Sequence, residues 1–131
     1  MIFIDSSAFV SLVVERENFH PKAVQWWKNH KKTQFVTSNL VVVETLGWVR
    51  HHIGKDQSVT LGMYLFSGVD IEVKRLSQHD EITAWELFQK TEGRGVSMVD
   101  CTSFVLMKRM KIKEAFTFDQ DLTKLGFTVV P

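Results

Sequence analysis

Apolar residues along this chain follow two rhythms. Short runs rich in β-branched and aromatic residues occur at 2–4, 34–37, 71–74, 115–118 and 127–130, and most are separated by longer stretches with helical spacing. Strands alternating with helices predict an α/β fold. Punctuation marks the helices. Ser7 is placed to cap a first helix over 8–14, and Pro21 suits the first turn of a second that runs toward Lys31. Ser38 or Asn39 starts a third, which passes through Glu44 toward His52 and has Gly54 beyond its end. A fourth is expected over 58–66. Within 78–91, Ile82, Trp85 and Phe88 recur at three-residue spacing, an apolar stripe suited to packing on a sheet. Gly93-Arg94-Gly95 breaks that helix, and Ser97 begins the next, which runs to Met110.

No repeat, low-complexity tract or Pro- or Gly-rich linker divides the chain, and its 131 residues suit one domain, 1–131, with a core of its own. Hydrophobic residues at 44% and charged residues at 24% argue against disorder. The lone Cys101 cannot form an internal disulfide, and no basic-then-apolar leader precedes the first strand, so a cytoplasmic location is expected. No apolar run approaches the roughly 20 residues that span a bilayer, so no membrane association is expected. A net charge of +1 does not announce nucleic acid. Cations nevertheless gather at Lys28-Asn29-His30-Lys31-Lys32, at Arg50-His51-His52 with Lys55, and at Lys108-Arg109 with Lys111 and Lys113. Such clusters serve either as helix ends that complement the dipole or as phosphate contacts.

The acids carry more information. Asp5 directly follows the first apolar run, and Glu44, Asp100 and Asp119 fall where a parallel sheet would turn carboxylates toward one end. Individually, Asp5 reads as a turn or cap residue, Asp100 as the last member of a Ser97-x-x-Asp100 capping box, and Asp119 as the cap of a short final helix. Glu44 has no such local reading. Its segment, Asn39 to Val49, is apolar almost all round, which predicts a buried carboxylate in need of a partner. Bringing four acids together costs about 3 kcal/mol per pair at about 5 Å and an effective dielectric of about 20, and a divalent cation removes that cost. Ligands of parallel α/β sheets bind at the carboxyl ends of strands, near the switch in strand order, which is where a shared ion would sit.

Ile2-Phe3-Ile4-Asp5-Ser6-Ser7-Ala8, Val43-Glu44, Ser97-Met98-Val99-Asp100-Cys101-Thr102-Ser103-Phe104 and Ala115-Phe116-Thr117-Phe118-Asp119 resemble the successive motifs of PIN-domain ribonucleases, most closely the VapC-like toxins of toxin–antitoxin pairs. The resemblance covers nearly the whole chain. It implies a three-layer α/β/α fold with a central parallel five-stranded sheet, and an endoribonuclease centre dependent on Mg²⁺, with Mn²⁺ as a substitute. It also implies an RNA substrate, a small antitoxin that blocks the centre, and commonly a homodimer. The matching catalytic and metal-binding residues are Asp5, Glu44, Asp100 and Asp119, with Ser6 and Asp121 as supporting candidates.

Residue chemistry agrees with that implication. Carboxylates without Cys or His ligands suit a hard cation rather than zinc. Cys101 lies in an apolar-rich helical segment and reads as core, and adjacent His51 and His52 cannot share a helix face. No Gly-rich phosphate loop is present. Neighbouring Trp26 and Trp27 are expected to diverge, one toward an interface. A receiver domain would need a lysine after the final strand, and a haloacid-dehalogenase-type phosphatase a second Asp where Ser7 stands. The remaining alternative is an inactive PIN scaffold that binds RNA or metal without cleavage.

Overall fold

A computed structural model of the chain describes residues 1–131 throughout. Five strands, β1 (Ile2–Ile4), β2 (Phe35–Ser38), β3 (Ile71–Lys74), β4 (Glu114–Phe116) and β5 (Thr128–Val130), form one sheet in the order β3-β2-β1-β4-β5, and every pairing is parallel. Seven helices complete the chain: α1 (Ser6–Val13), α2 (His20–Asn29), α3 (Asn39–His52), α4 (Lys55–Ser67), α5 (Gln78–Lys90), α6 (Met98–Arg109) and α7 (Asp121–Lys124). The result is the expected three-layer α/β/α arrangement. Every residue of β1 and β2 is buried, as strands covered on both faces require. Phe3, Ile4, Phe9, Val36, Leu106 and Phe116 stand at the centre of the core.

Strand order determines where a site can form. From β1 the chain steps outward through β2 to β3, then crosses back to place β4 on the other side of β1. The switch in direction falls between β1 and β4, whose carboxyl ends run directly into Asp5 and Thr117. Helices leaving strands on either side of such a switch diverge and open a crevice there.

Some expected boundaries shift. The Ser38 hydroxyl accepts the Val41 N–H and is the cap of α3, whereas Asn39 instead accepts the Leu76 N–H. Gly54, expected beyond the end of α3, is the residue before α4 at φ 151°, and α4 begins earlier than predicted, at Lys55. β4 ends at Phe116, and past it the Thr117 N–H still donates to the carbonyl of Val130 in β5. Trp26 and Trp27 do not diverge: both ring systems contact Phe35, and Trp26 also meets Phe116.

The stripe on α5 is a larger correction. Ile82, Trp85 and Phe88 are exposed, while Ala84 and Leu87 face α6. The inward face runs through Asp80, a charged residue that hides it from a hydrophobicity reading. Asp80 is buried because Arg109 of α6 grips both its oxygens, at 3.0 and 2.8 Å. No helix is long and apolar enough to cross a membrane.

Candidate active site

Asp5 directly follows β1 and is buried. Its backbone N–H donates to the carbonyl of Phe116, continuing the β1–β4 ladder one residue past the strand. Its carboxyl is pushed up to about 7 by burial, with Asp100 and Glu44 adding repulsion against the lowering effect of the Ser6 amide and the Thr117 hydroxyl. Asp100 is likewise raised, first by burial and then by Asp119 and Glu44, against the Ser97 amide. Both carboxyls are thus raised in part by other members of the predicted quartet. The fold therefore brings Asp5 within electrostatic reach of Asp100 and Glu44, and Asp100 within reach of Asp119 and Glu44.

Glu44 contradicts one expectation. It is exposed rather than buried, because α3 turns Val41, Val42, Thr45 and Val49 inward and leaves Val43, Glu44 and Gly47 on the open side. The Ser6 hydroxyl donates to its Oε1 at 2.6 Å. Ser6 therefore links α1 to α3 at the crevice mouth. Ser7 is also reassigned: it makes no cap for α1, and instead accepts the Phe118 N–H at 2.9 Å and meets the Thr117 hydroxyl at 2.9 Å.

Thr117 was not picked out by sequence reasoning. Its Oγ1 donates to Asp5 Oδ2 at 3.0 Å and accepts the Asp119 N–H at 3.0 Å. A hydroxyl has one proton to give and two lone pairs. With the proton committed to Asp5, the remaining contact requires Ser7 to donate to Thr117. The chain of bonds has one direction, from the Phe118 amide through Ser7 and Thr117 to Asp5. The only signal in the sequence is a small hydroxyl residue two positions before Asp119.

Asp100 does two jobs, since Ser97 and Asp100 form the predicted capping box and the same carboxylate faces the other acids. Asp119 Oδ1 accepts the Asp121 N–H at 2.9 Å and so supports the start of α7. Asp121 itself is held below the ordinary carboxylate range by Lys124, 2.7 Å away. It lies against Gly95, where a side chain would collide with its carboxylate.

Three salt bridges exist, at Lys74–Glu72, Arg109–Asp80 and Lys124–Asp121, and none reaches the quartet. As the side chains stand, no three His, Cys, Asp or Glu are gathered tightly enough to hold a metal ion. Each acid is instead drawn onto a neighbouring donor: Asp5 onto Thr117, Glu44 onto Ser6, Asp100 onto Ser97 and Asp119 onto Asp121. One carboxylate oxygen of each stays out of those bonds. An oxygen-only set that no salt bridge reaches, with the Asp5 and Asp100 carboxyls raised, fits a hard divalent cation.

The chain matches the PIN domain family over residues 2–128. It belongs to that family. This PIN domain is 32% identical over 130 residues to the 23S rRNA-specific endonuclease VapC20 of Mycobacterium tuberculosis, covering 99% of this chain and 98% of the relative. The crystal structure of that VapC20, described as a sarcin–ricin loop cleaving toxin, superposes with a TM-score of 0.91 at 29% identity, covering 98% of this chain and 97% of the other. FitAcB from Neisseria gonorrhoeae shares the fold at a TM-score of 0.71 and 15% identity, over 100% of this PIN domain and 97% of its own chain.

Proposed function

We propose that this PIN domain is a divalent-cation-dependent endoribonuclease that hydrolyses phosphodiester bonds of ribosomal RNA and acts as the toxin of a toxin–antitoxin pair. The observation that carries the reading is the gathering of acids at the β1/β4 switch, where Asp100 and Glu44 repel Asp5, Asp119 and Glu44 repel Asp100, and no salt bridge reaches any of the four. Similarity to VapC20 along nearly the whole chain supports the substrate class and the antitoxin partner.

Asp5 and Asp100 would be the principal ligands of a Mg²⁺ or Mn²⁺ ion, with Glu44 and Asp119 completing the set. Such an ion supplies charge neutralisation at the scissile phosphate and activation of water near neutral pH. The chain's own residues supply orientation. Thr117 fixes which oxygen of Asp5 is spent inside the protein, Ser6 steers Glu44, and the capping box fixes Asp100 at the helix end. Asp121, tied to Lys124, acts through Asp119. We further propose that the chain works as a homodimer in the cytoplasm.

Incubating the pure chain with ribosomal RNA, with Mg²⁺ or with a chelator, tests the reading. Cleavage should require the cation, and Asp100→Asn should lower it by at least about 100-fold while the melting midpoint stays near that of the parent. RNA binding without cation-dependent cleavage would instead establish the inactive-scaffold alternative.

A further inference from the structure

A cavity of about 420 Å³ adjoins the quartet, and Glu17, Glu44, Asp119, Phe19, Phe118 and Trp48 are among the residues that line it. Phe19 comes from the loop between α1 and α2, and Trp48 from α3 one turn beyond Glu44. Phe118 stacks on Phe19 with centroids 4.6 Å apart and planes within 8°, yet Phe19 remains 48% exposed, which leaves part of the ring free for a further contact. Trp48 is similarly backed on one side, by His52 at 4.2 Å and 16°. Both rings are thus held in fixed planes by an aromatic partner. Arg16, which donates to the carbonyl of His52 at 3.3 Å, ties the Phe19 loop to the end of α3 and so joins the two walls.

We infer that this cavity is a subsite for one unpaired RNA base beside the scissile phosphate, with Phe19 as its stacking platform; the inference rests on the ribonuclease reading and deepens it. An acidic crevice cannot attract a polyanion by charge, because Glu44 and Asp119 repel phosphate until a cation intervenes. What it can offer is a flat apolar surface to the uncharged face of a base. Stacking on an aromatic side chain is a main mode by which proteins hold single-stranded RNA, and it needs the base out of a helix. Packing of a purely structural kind would bury Phe19. Here the ring is 48% exposed and lines the cavity.

The test measures binding of a short fluorescent single-stranded RNA by anisotropy in Mg²⁺, using Asp100→Asn chains so that substrate survives. Adding Phe19→Ala should weaken binding about ten-fold, and Phe19→Leu, which keeps apolar bulk against Phe118, should weaken it as much. Phe19→Tyr should restore affinity to within about two-fold. An abasic sugar at one position of the RNA should cost the parent about ten-fold and the Phe19→Ala chain almost nothing, since both remove the same contact. Equal affinities for Phe19→Leu and the parent overturn the subsite, as does an abasic penalty that survives Phe19→Ala. Cleavage is scored separately with chains that keep Asp100, so an RNA that is cut normally by Phe19→Leu rejects the subsite alone, whereas failure of the parent to cut any RNA rejects the nuclease reading.

Discussion

Thr117 shows how much a single hydroxyl can determine. Buried, it satisfies Asp5 and the Asp119 amide together, and through Ser7 it reaches the Phe118 amide. Thr117→Val keeps the shape and removes all of these bonds, leaving a buried carboxylate oxygen and an amide unsatisfied. The expected result is a loss of about 1–3 kcal/mol in stability and a 10- to 100-fold weaker response to Mg²⁺, read from melting curves and from a cation titration of cleavage. Thr117→Ser should recover most of both. An unchanged titration midpoint in Thr117→Val would show that Asp5 needs no such support. This network lay outside the reach of sequence reasoning because Thr117 is separated from Asp5 and Ser7 by most of the chain. Asp5 itself was legible, since an acid directly after an apolar strand is a local feature. Glu44 was half legible: its place on α3 was read correctly, but its exposure was not, because periodicity does not say that the crevice strips cover from one side of a nearly all-apolar helix.

At the scale of elements, α5 and α6 start with the same device and use it differently. Ser77 with Asp80 and Ser97 with Asp100 are both complete capping boxes. Asp100 then faces other acids, whereas Asp80 meets Arg109 of the neighbouring helix. Nothing local separates the two motifs, so the sequence could offer Asp100 as a site residue only through its company in the chain. The pairing has a pH signature. Burial pushes the Asp80 carboxyl up, but the Ser77 amide and the Arg109 guanidinium outweigh it and hold it below 3.8. A carboxyl lowered by folding contributes stability above its unfolded value, and that contribution fades as the pH falls toward and through the folded value. Arg109→Met should therefore destabilise the chain by about 1–2 kcal/mol near neutral pH, a figure reduced because the Arg109 side chain is 52% exposed. The gap between parent and variant should shrink below pH 3.8, where Asp80 protonates. A gap that stays constant from neutral pH into acid would mean that the helix pair is held by Ala84, Cys101 and Val105 alone.

For the whole molecule, strand–helix alternation followed from the chain's rhythm, while the strand order β3-β2-β1-β4-β5 and the surface did not. Apolar residues that an α/β layer should bury instead stand outside it. Val59, Met63, Phe66 and Val69 along and just after α4 are 46%, 72%, 64% and 79% exposed, with Val43 of α3 at 64%. No charged residue occurs between Asp56 and Asp70. The face is too apolar and too free of charge to be ordinary surface, and depletion of charge is what separates the centre of an interface from the rest of a protein. The α5 stripe is different: Ile82, Trp85 and Phe88 are interleaved with Glu81, Glu86 and Lys90, and Trp85 and Phe88 stack on each other with centroids 5.7 Å apart. Of the two, the α4 face is the better surface for a second copy of the chain, since two-fold pairing sets the same patch against itself and a patch without charge meets no repulsion there. Met63→Glu combined with Phe66→Glu places four carboxylates in such an interface. Analytical ultracentrifugation at micromolar concentration should find a dimer for the parent and a monomer for the double variant, with cleavage of RNA per chain retained wherever the quartet is complete within one copy. A parent that sediments as a monomer would remove the dimer, and a double variant that remains dimeric would move the contact away from α4.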